Sequence, residues 1–148
     1  MQKKNFKESK KYESQIKKVF DLKARSHFSK GIDLLKIMNN QFKNDKTILG
    51  LLGTLFYESK DYKNSSIYFK KALKANPNSE LSSLGLFHSY FELGKINLAL
   101  NEINRFIKEN TPKLYQTTLQ ELRDNIDNFS KSERKIINNF PTVFALNT

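Results

Sequence analysis

The 148-residue chain has no cysteine and no tryptophan, only three prolines, five glycines and two histidines. Without cysteine there is no disulfide framework, no thiol nucleophile and no thiolate metal site. His27 and His88 are far apart and leave no His-x-x-x-His pair for zinc. The glycines build no phosphate loop: Gly50 and Gly53 sit within an apolar helical pattern, and Gly94-Lys95 lacks a preceding glycine. No apolar run approaches the roughly 20 residues needed to span a bilayer. The opening MQKKNFKESKKYESQ carries no apolar stretch of the kind a secretory signal needs, so the triplet Asn64-Ser65-Ser66 has no glycosylation context. Carboxylates are scattered over helix surfaces and turns, where solvation accounts for them. These absences predict a soluble, cytoplasmic protein that is not an enzyme and holds no metal or cofactor.

The charge is one-sided. Residues 1–75 hold 18 Lys/Arg against 7 Asp/Glu, and residues 76–148 hold 8 of each, so the net charge of +11 lies in the first half. Lys3, Lys4, Lys7, Lys10, Lys11, Lys17, Lys18, Lys23 and Arg25 carry most of it. Such a surface attracts acidic proteins, nucleic acid or anionic lipid. The same excess also follows from composition, since Lys outnumbers Arg 22 to 4 and Asn occurs 16 times, as an AT-rich genome would produce. Arg, the residue whose planar fork reads phosphate and guanine, is scarce, which weighs against nucleic acid.

Hydrophobic residues make up 38% of the chain and include 12 Phe and 6 Tyr, enough for one domain with a real core. They recur with a period of 34 residues. Leu22, Phe56 and Tyr90 form one bulky column, Phe28, Tyr62 and Ile96 a second, and Leu35, Phe69 and Ile103 a third. Gly31, Ser65 and Ala99 form a column of small residues, where two helices of a hairpin approach closely. In the middle unit Ile48, Leu49, Leu52, Leu55 and Phe56 mark one helix face. The stretch ESKDYKN interrupts it, Ile67, Phe69, Ala72 and Leu73 mark a second helix, and Pro77 stops that helix. The next unit repeats the plan with Gly94 at the turn and Thr111-Pro112 at the end.

With Leu49, Leu52, Gly53, Phe56, Ser65, Phe69, Ala72 and Pro77 in these positions, the middle unit resembles the tetratricopeptide repeat. The following unit keeps Leu86, Tyr90, Gly94 and Ala99, and the preceding one keeps Gly31, Leu35 and Met38 without a terminal proline. The resemblance implies an all-α fold, a tetratricopeptide-like α-α superhelix of about three helical hairpins plus a C-terminal capping helix. It divides a single domain, 1–148, into repeats at 12–45, 46–79 and 80–113, a cap at 114–139 and a tail at 140–148. The period fails after residue 112: Asp124 and Ser130 stand where bulky residues are due, and Tyr115, Leu119, Leu122 and Ile126 mark a helix in another register. Stacked repeats end on an apolar face that such a helix, over about 113–128, covers, and a shorter helix near 131–139 follows it. The apolar segment from Phe140-Pro141 onward either packs on the cap or serves as a partner-binding strand; packing is favoured because an exposed apolar tail aggregates.

The resemblance also implies a partner-binding groove on the inner face, lined by the first helix of each pair. Its positions fall on Thr47, Gly50, Thr54, Tyr57 and Glu58 in the middle unit and on Leu81, Leu84, His88, Phe91 and Glu92 in the next. Ile16, Phe20, Lys23 and Ala24 are the counterparts in the first unit. Tyr57 and Phe91 read equally as groove anchors or as core, and His88 reads as a satisfied polar residue rather than a pH switch. Family members that clamp C-terminal carboxylates of chaperones place Lys and Asn where this chain has Gly50, Thr54, Leu84 and His88, so that mode is absent.

Three functions follow as expectations. The run Ser82-Ser83-Leu84-Gly85-Leu86-Phe87-His88-Ser89, with Glu92-Leu93-Gly94-Lys95 and Asn101-Glu102-Ile103-Asn104-Arg105-Phe106, is similar to small stand-alone tetratricopeptide proteins associated with bacterial toxins. That resemblance implies an immunity protein whose partner is a toxin. A secretion chaperone or assembly adaptor, holding an extended effector segment, is the alternative. A nucleic-acid- or membrane-associated factor using the basic half is the third. Oligomeric state is left open, since like charge opposes self-association and the apolar tail favours it.

Overall fold

Three residues in the left-handed backbone region, Ser26 (φ 59°), Lys60 (φ 62°) and Gly94 (φ 73°), recur at the 34-residue spacing. Each closes one helix and turns the chain into the next. In this computed structural model, which describes residues 6–142, the paired helices are α1 (Phe6–Ala24) and α2 (Phe28–Gln41), α3 (Lys46–Glu58) and α4 (Tyr62–Ala75), and α5 (Glu80–Glu92) and α6 (Ile96–Glu109). The N–H of each left-handed residue and the N–H after it bond back to the helix just ended: Ser26 to Lys23 and His27 to Leu22, Lys60 to Tyr57 and Asp61 to Phe56, Gly94 to Phe91 and Lys95 to Tyr90. This double bond pattern satisfies carbonyls that a helix end otherwise leaves orphaned. The weakly marked first unit therefore has the same turn as the other two.

Connections between units are set by caps. Asp45 accepts from the Ile48 N–H at 3.0 Å at the start of α3, and Ser79 accepts from the Ser82 N–H at 3.2 Å at the start of α5. Pro77 lies in the linker between α4 and α5. Helices pack in succession from α1 to α6, and α3 also touches α5 across α4. The all-helical, tetratricopeptide-like superhelix that the resemblance implies is what the chain forms; no strand occurs among the described residues.

The columns bury as their size classes require. Leu35, Ile103 and Phe69 are at most 5% exposed, and full burial of such a side chain stabilises by about 1.5–3 kcal/mol. In the small column, Gly31 faces Leu55 so closely that a Cβ would lie 2.8 Å from its Cδ1. Ser65 turns its hydroxyl inward, donating to the Gly53 carbonyl at 2.8 Å and pairing with Ser89 Oγ at 2.9 Å. The Phe69 ring of α4 is inserted between Gly53 of α3 and Gly85 of α5, where added Cβ atoms would sit 2.7 Å and 2.4 Å from it.

Helix α1 begins at Phe6, ahead of the expected start of the first repeat at 12. The capping helix α7 (Tyr115–Asp124) is joined through a short 3-10 turn at Ile126–Asn128 to α8 (Lys131–Asn138), the shorter helix expected near 131–139. Asn125 ends α7, its side-chain amide taking the Glu121 carbonyl at 2.8 Å, and Ser130 with Glu133 forms a reciprocal capping box that starts α8. Glu80 caps α7 from a distance: its carboxylate accepts the Lys113 and Leu114 N–H groups at 2.6–2.9 Å. Tyr115, Leu119, Ile137 and Phe140 are buried with Phe87, Leu100 and Ile103 in one cluster. The tail thus starts by packing back, with Arg123 donating to the Phe140 carbonyl; residues 143–148 lie outside the described residues.

Glu102 overturns the expectation that carboxylates are solvated. It is 7% exposed and is paired with Arg105 through Nε at 2.8 Å and a terminal nitrogen at 2.7 Å. Ser83 Oγ donates to it at 2.5 Å. Because Ser83 has one hydroxyl proton, the Tyr115 hydroxyl must be the donor in its 2.7 Å contact with Ser83. Buried charge persists only when partnered in this way. The network ties α5, α6 and α7 together.

Candidate protein-binding groove

Alternating helices of a stack share a face, and the α3–α5 contact shows which helices do so here. The ten expected groove residues lie along that face in three linked hollows. Thr47, Gly50, Thr54 and Leu81 line the first, of about 320 Å³, together with Phe20 of α1. Thr54, Tyr57, Glu58, Leu81, Leu84 and His88 line the second, of about 190 Å³. His88, Phe91 and Glu92 line the third, of about 500 Å³, against the cap. Thr54 and Leu81 are common to the first pair and His88 to the second, so the hollows run on into one another.

The walls are apolar and partly uncovered. Leu81 is 70% exposed, Phe20 51% and Phe91 37%. Tyr57 is half-buried: its ring meets Tyr62 at 5.2 Å between centroids and rests on the cluster of Phe69, Leu73 and Leu86. Phe91 stacks obliquely on Phe87 at 5.7 Å and meets Phe129 edge-on at 6.3 Å. The two aromatic residues are therefore floor rather than interior, each with one side on the core and one toward the groove. Burial next to Glu92 pushes the Tyr57 hydroxyl above its ordinary pKa. Burial pulls His88 below its ordinary value, against the opposing pull of Glu121 and Glu92, which keeps the imidazole neutral near pH 7.

Acidic groups dominate the rim at one end. Glu58 approaches Lys23 of α1 at 3.8 Å, a long, half-exposed pair of small energetic weight. Glu92 and Glu121 have no cationic partner among the described residues. Two contributions were not legible in the sequence. Phe69 and Ala72 of α4 reach through to the groove floor, and Glu121, Leu122 and Phe129 of the cap wall the third hollow. The cap breaks the 34-residue period, so counting columns could not place it beside α5.

No cluster of three His, Cys, Asp or Glu that could hold a metal occurs among the described residues. Ser83, though bonded to Glu102 and Tyr115, is fully buried and beyond reach of a substrate. No described helix is long and apolar enough to cross a membrane.

The family model for the tetratricopeptide repeat matches residues 47–79, the α3–α4 hairpin. No curated protein matches the chain. The hairpins on either side share the turn geometry, the buried small column and the stacking of the matched one. Residues 47–79 thus form a tetratricopeptide repeat, a unit whose helical stacks generally mediate protein–protein interaction, and the flanking hairpins stack on it.

Proposed function

We propose that this protein holds a segment of another protein along the face of α1, α3 and α5. The observation that supports it is the line of uncovered apolar side chains, Phe20, Leu81 and Phe91, beside three communicating hollows. Soluble chains rarely leave such a line bare without a partner, and aromatic anchors in pockets concentrate binding energy. The anchors are Tyr57, Leu84 and Phe91, and the polar selectivity comes from Thr47, Thr54, His88, Glu58 and Glu92. Gly50 leaves room for the guest's backbone.

The finer reading is an immunity protein that neutralises a toxin by direct contact, resting on the likeness of residues 82–106 to toxin-associated tetratricopeptide proteins. The carboxylates at the third hollow favour this reading, because they offer a basic toxin surface a docking point that the net charge of +11 otherwise denies it. A secretion chaperone is the second reading, favoured by the elongated form of the linked hollows, which suits an extended peptide. Co-expression with the protein encoded alongside it separates them. Rescue of growth from a toxic neighbour, with a tight stoichiometric complex, supports immunity. Binding of a short peptide from a secreted neighbour, without any toxicity to rescue, supports the chaperone. Failure of Tyr57→Ala and Phe91→Ala to weaken either complex would remove the groove from the account. Nucleic-acid binding through the lysines of α1 would show as affinity falling steeply with salt.

A further inference from the structure

The third hollow differs from the other two in chemistry. Its floor presents the Phe91 ring, 37% exposed, backed by the buried rings of Phe87 at 5.7 Å and Phe129 at 6.3 Å. Its rim carries Glu92, Glu121 and Glu133, and its lining residues include no lysine or arginine. Glu133 is partly committed, since one of its oxygens accepts the Ser130 N–H at 2.8 Å. Glu92 and Glu121 are exposed and both act on the His88 ring from opposite elements, α5 and α7, so they flank one site. The volume of about 500 Å³ lies within the range of pockets that enclose a ligand group.

We infer that this hollow receives an arginine side chain of the protein partner. Resting on the groove reading above, this assigns the partner's chemistry at one end. A guanidinium satisfies both halves of the site at once. Its flat face lies on the exposed Phe91 ring, and its edge pairs with a carboxylate through two parallel hydrogen bonds. A neutral apolar side chain would leave two carboxylates desolvated beside it without a partner. A lysine ammonium, a compact and strongly hydrated point charge, gains less from the rings. The site also sits in the half of the chain that carries no net charge, where 8 basic and 8 acidic residues balance. It is remote in sequence from the lysines of α1, and at physiological salt their field is screened beyond about 8 Å.

The test is selection of a random twelve-residue peptide library on the full chain, run in parallel on the Glu92→Gln/Glu121→Gln double variant. Both substituted positions are exposed, so the variant keeps its thermal midpoint. Peptides enriched on the unmodified protein should carry arginine at one fixed distance from an apolar residue, although the net charge of +11 disfavours basic peptides in general. Replacing that arginine by citrulline, its neutral near-isostere, should weaken binding about tenfold or more. On the double variant the arginine preference should vanish while the apolar preference remains. Selected peptides that bind through Tyr57 but show no arginine preference, or that tolerate citrulline, would overturn the arginine site and leave the groove standing. A preference for arginine unchanged in the double variant would overturn it as well. Failure to select any peptide would overturn the groove and the arginine site together.

Discussion

Gly53→Ala should destabilise this protein while Gly50→Ala, one turn earlier on the same helix, should stabilise it. Both changes raise helix propensity by about 0.8–1 kcal/mol. At Gly50 nothing opposes the gain, since the new Cβ meets only Ser82 Oγ at 3.8 Å. At Gly53 the Cβ would lie 2.7–2.8 Å from three atoms of the Phe69 ring. That ring has no retreat, because Gly85 on the opposite side already approaches it closely enough to place a Cβ at 2.4 Å. Overpacking of a core costs about 1–3 kcal/mol, and a ring pinned from both sides belongs at the upper end. The net for Gly53→Ala is then about 2 kcal/mol of lost stability, and for Gly50→Ala about 1 kcal/mol gained. In a chain of this length those values correspond to a midpoint lowered by roughly 4–8 °C and raised by roughly 2–4 °C. Thermal and urea unfolding followed by circular dichroism read both. Adding Phe69→Leu to Gly53→Ala should cost less than the sum of the two single changes. A Gly53→Ala protein as stable as the parent would refute the claim that α3, α4 and α5 close on one ring.

Other consequences are as direct. Lys60→Gly should stabilise by about 1 kcal/mol, because Lys60 sits at φ 62° where a side chain is strained, and Gly94→Ala should cost a similar amount; chemical unfolding midpoints check both. Ser83→Ala removes one of the bonds to the buried Glu102, which keeps Arg105, and takes the partner from the Tyr115 hydroxyl, a loss of about 1–3 kcal/mol, and should raise amide exchange across α7 more than across α3. Burial and the bond to Asp45 push the Tyr12 hydroxyl up to about 12. A raised folded-state value means its contribution is whole below the unfolded value near 10 and is lost as pH climbs through 12. Urea midpoints should therefore fall between pH 10 and 12, and less so in Tyr12→Phe.

The fold was readable because its signals are periodic. Leu35, Phe69 and Ile103 keep one size at one spacing, and the small column survives substitution of Gly31 by Ser65 and Ala99 along the chain. Turn geometry was readable only at Gly94: Ser26 and Lys60 adopt the same left-handed conformation without any residue type that announces it. The expected groove positions come from the family resemblance, and they line adjoining hollows. What escaped the sequence depends on contacts between non-periodic parts. Glu102 resembles any surface carboxylate until α7 carries Tyr115 over Ser83 beside it. The acidic, ring-floored hollow exists only where α5 meets a cap that follows no repeat.

The central claim is that a guest protein lies on the α1–α3–α5 face. Its most direct test is the affinity of a partner, identified by pull-down and mass spectrometry, for Tyr57→Ala measured against Ile67→Ala. Ile67 is 40% exposed on α4 and lines none of the three hollows. Loss of the aromatic anchor should weaken binding about tenfold or more, with Ile67→Ala unchanged. Equal affinity for Tyr57→Ala and the parent, or a loss confined to Ile67→Ala, would place the partner on another surface and contradict the account.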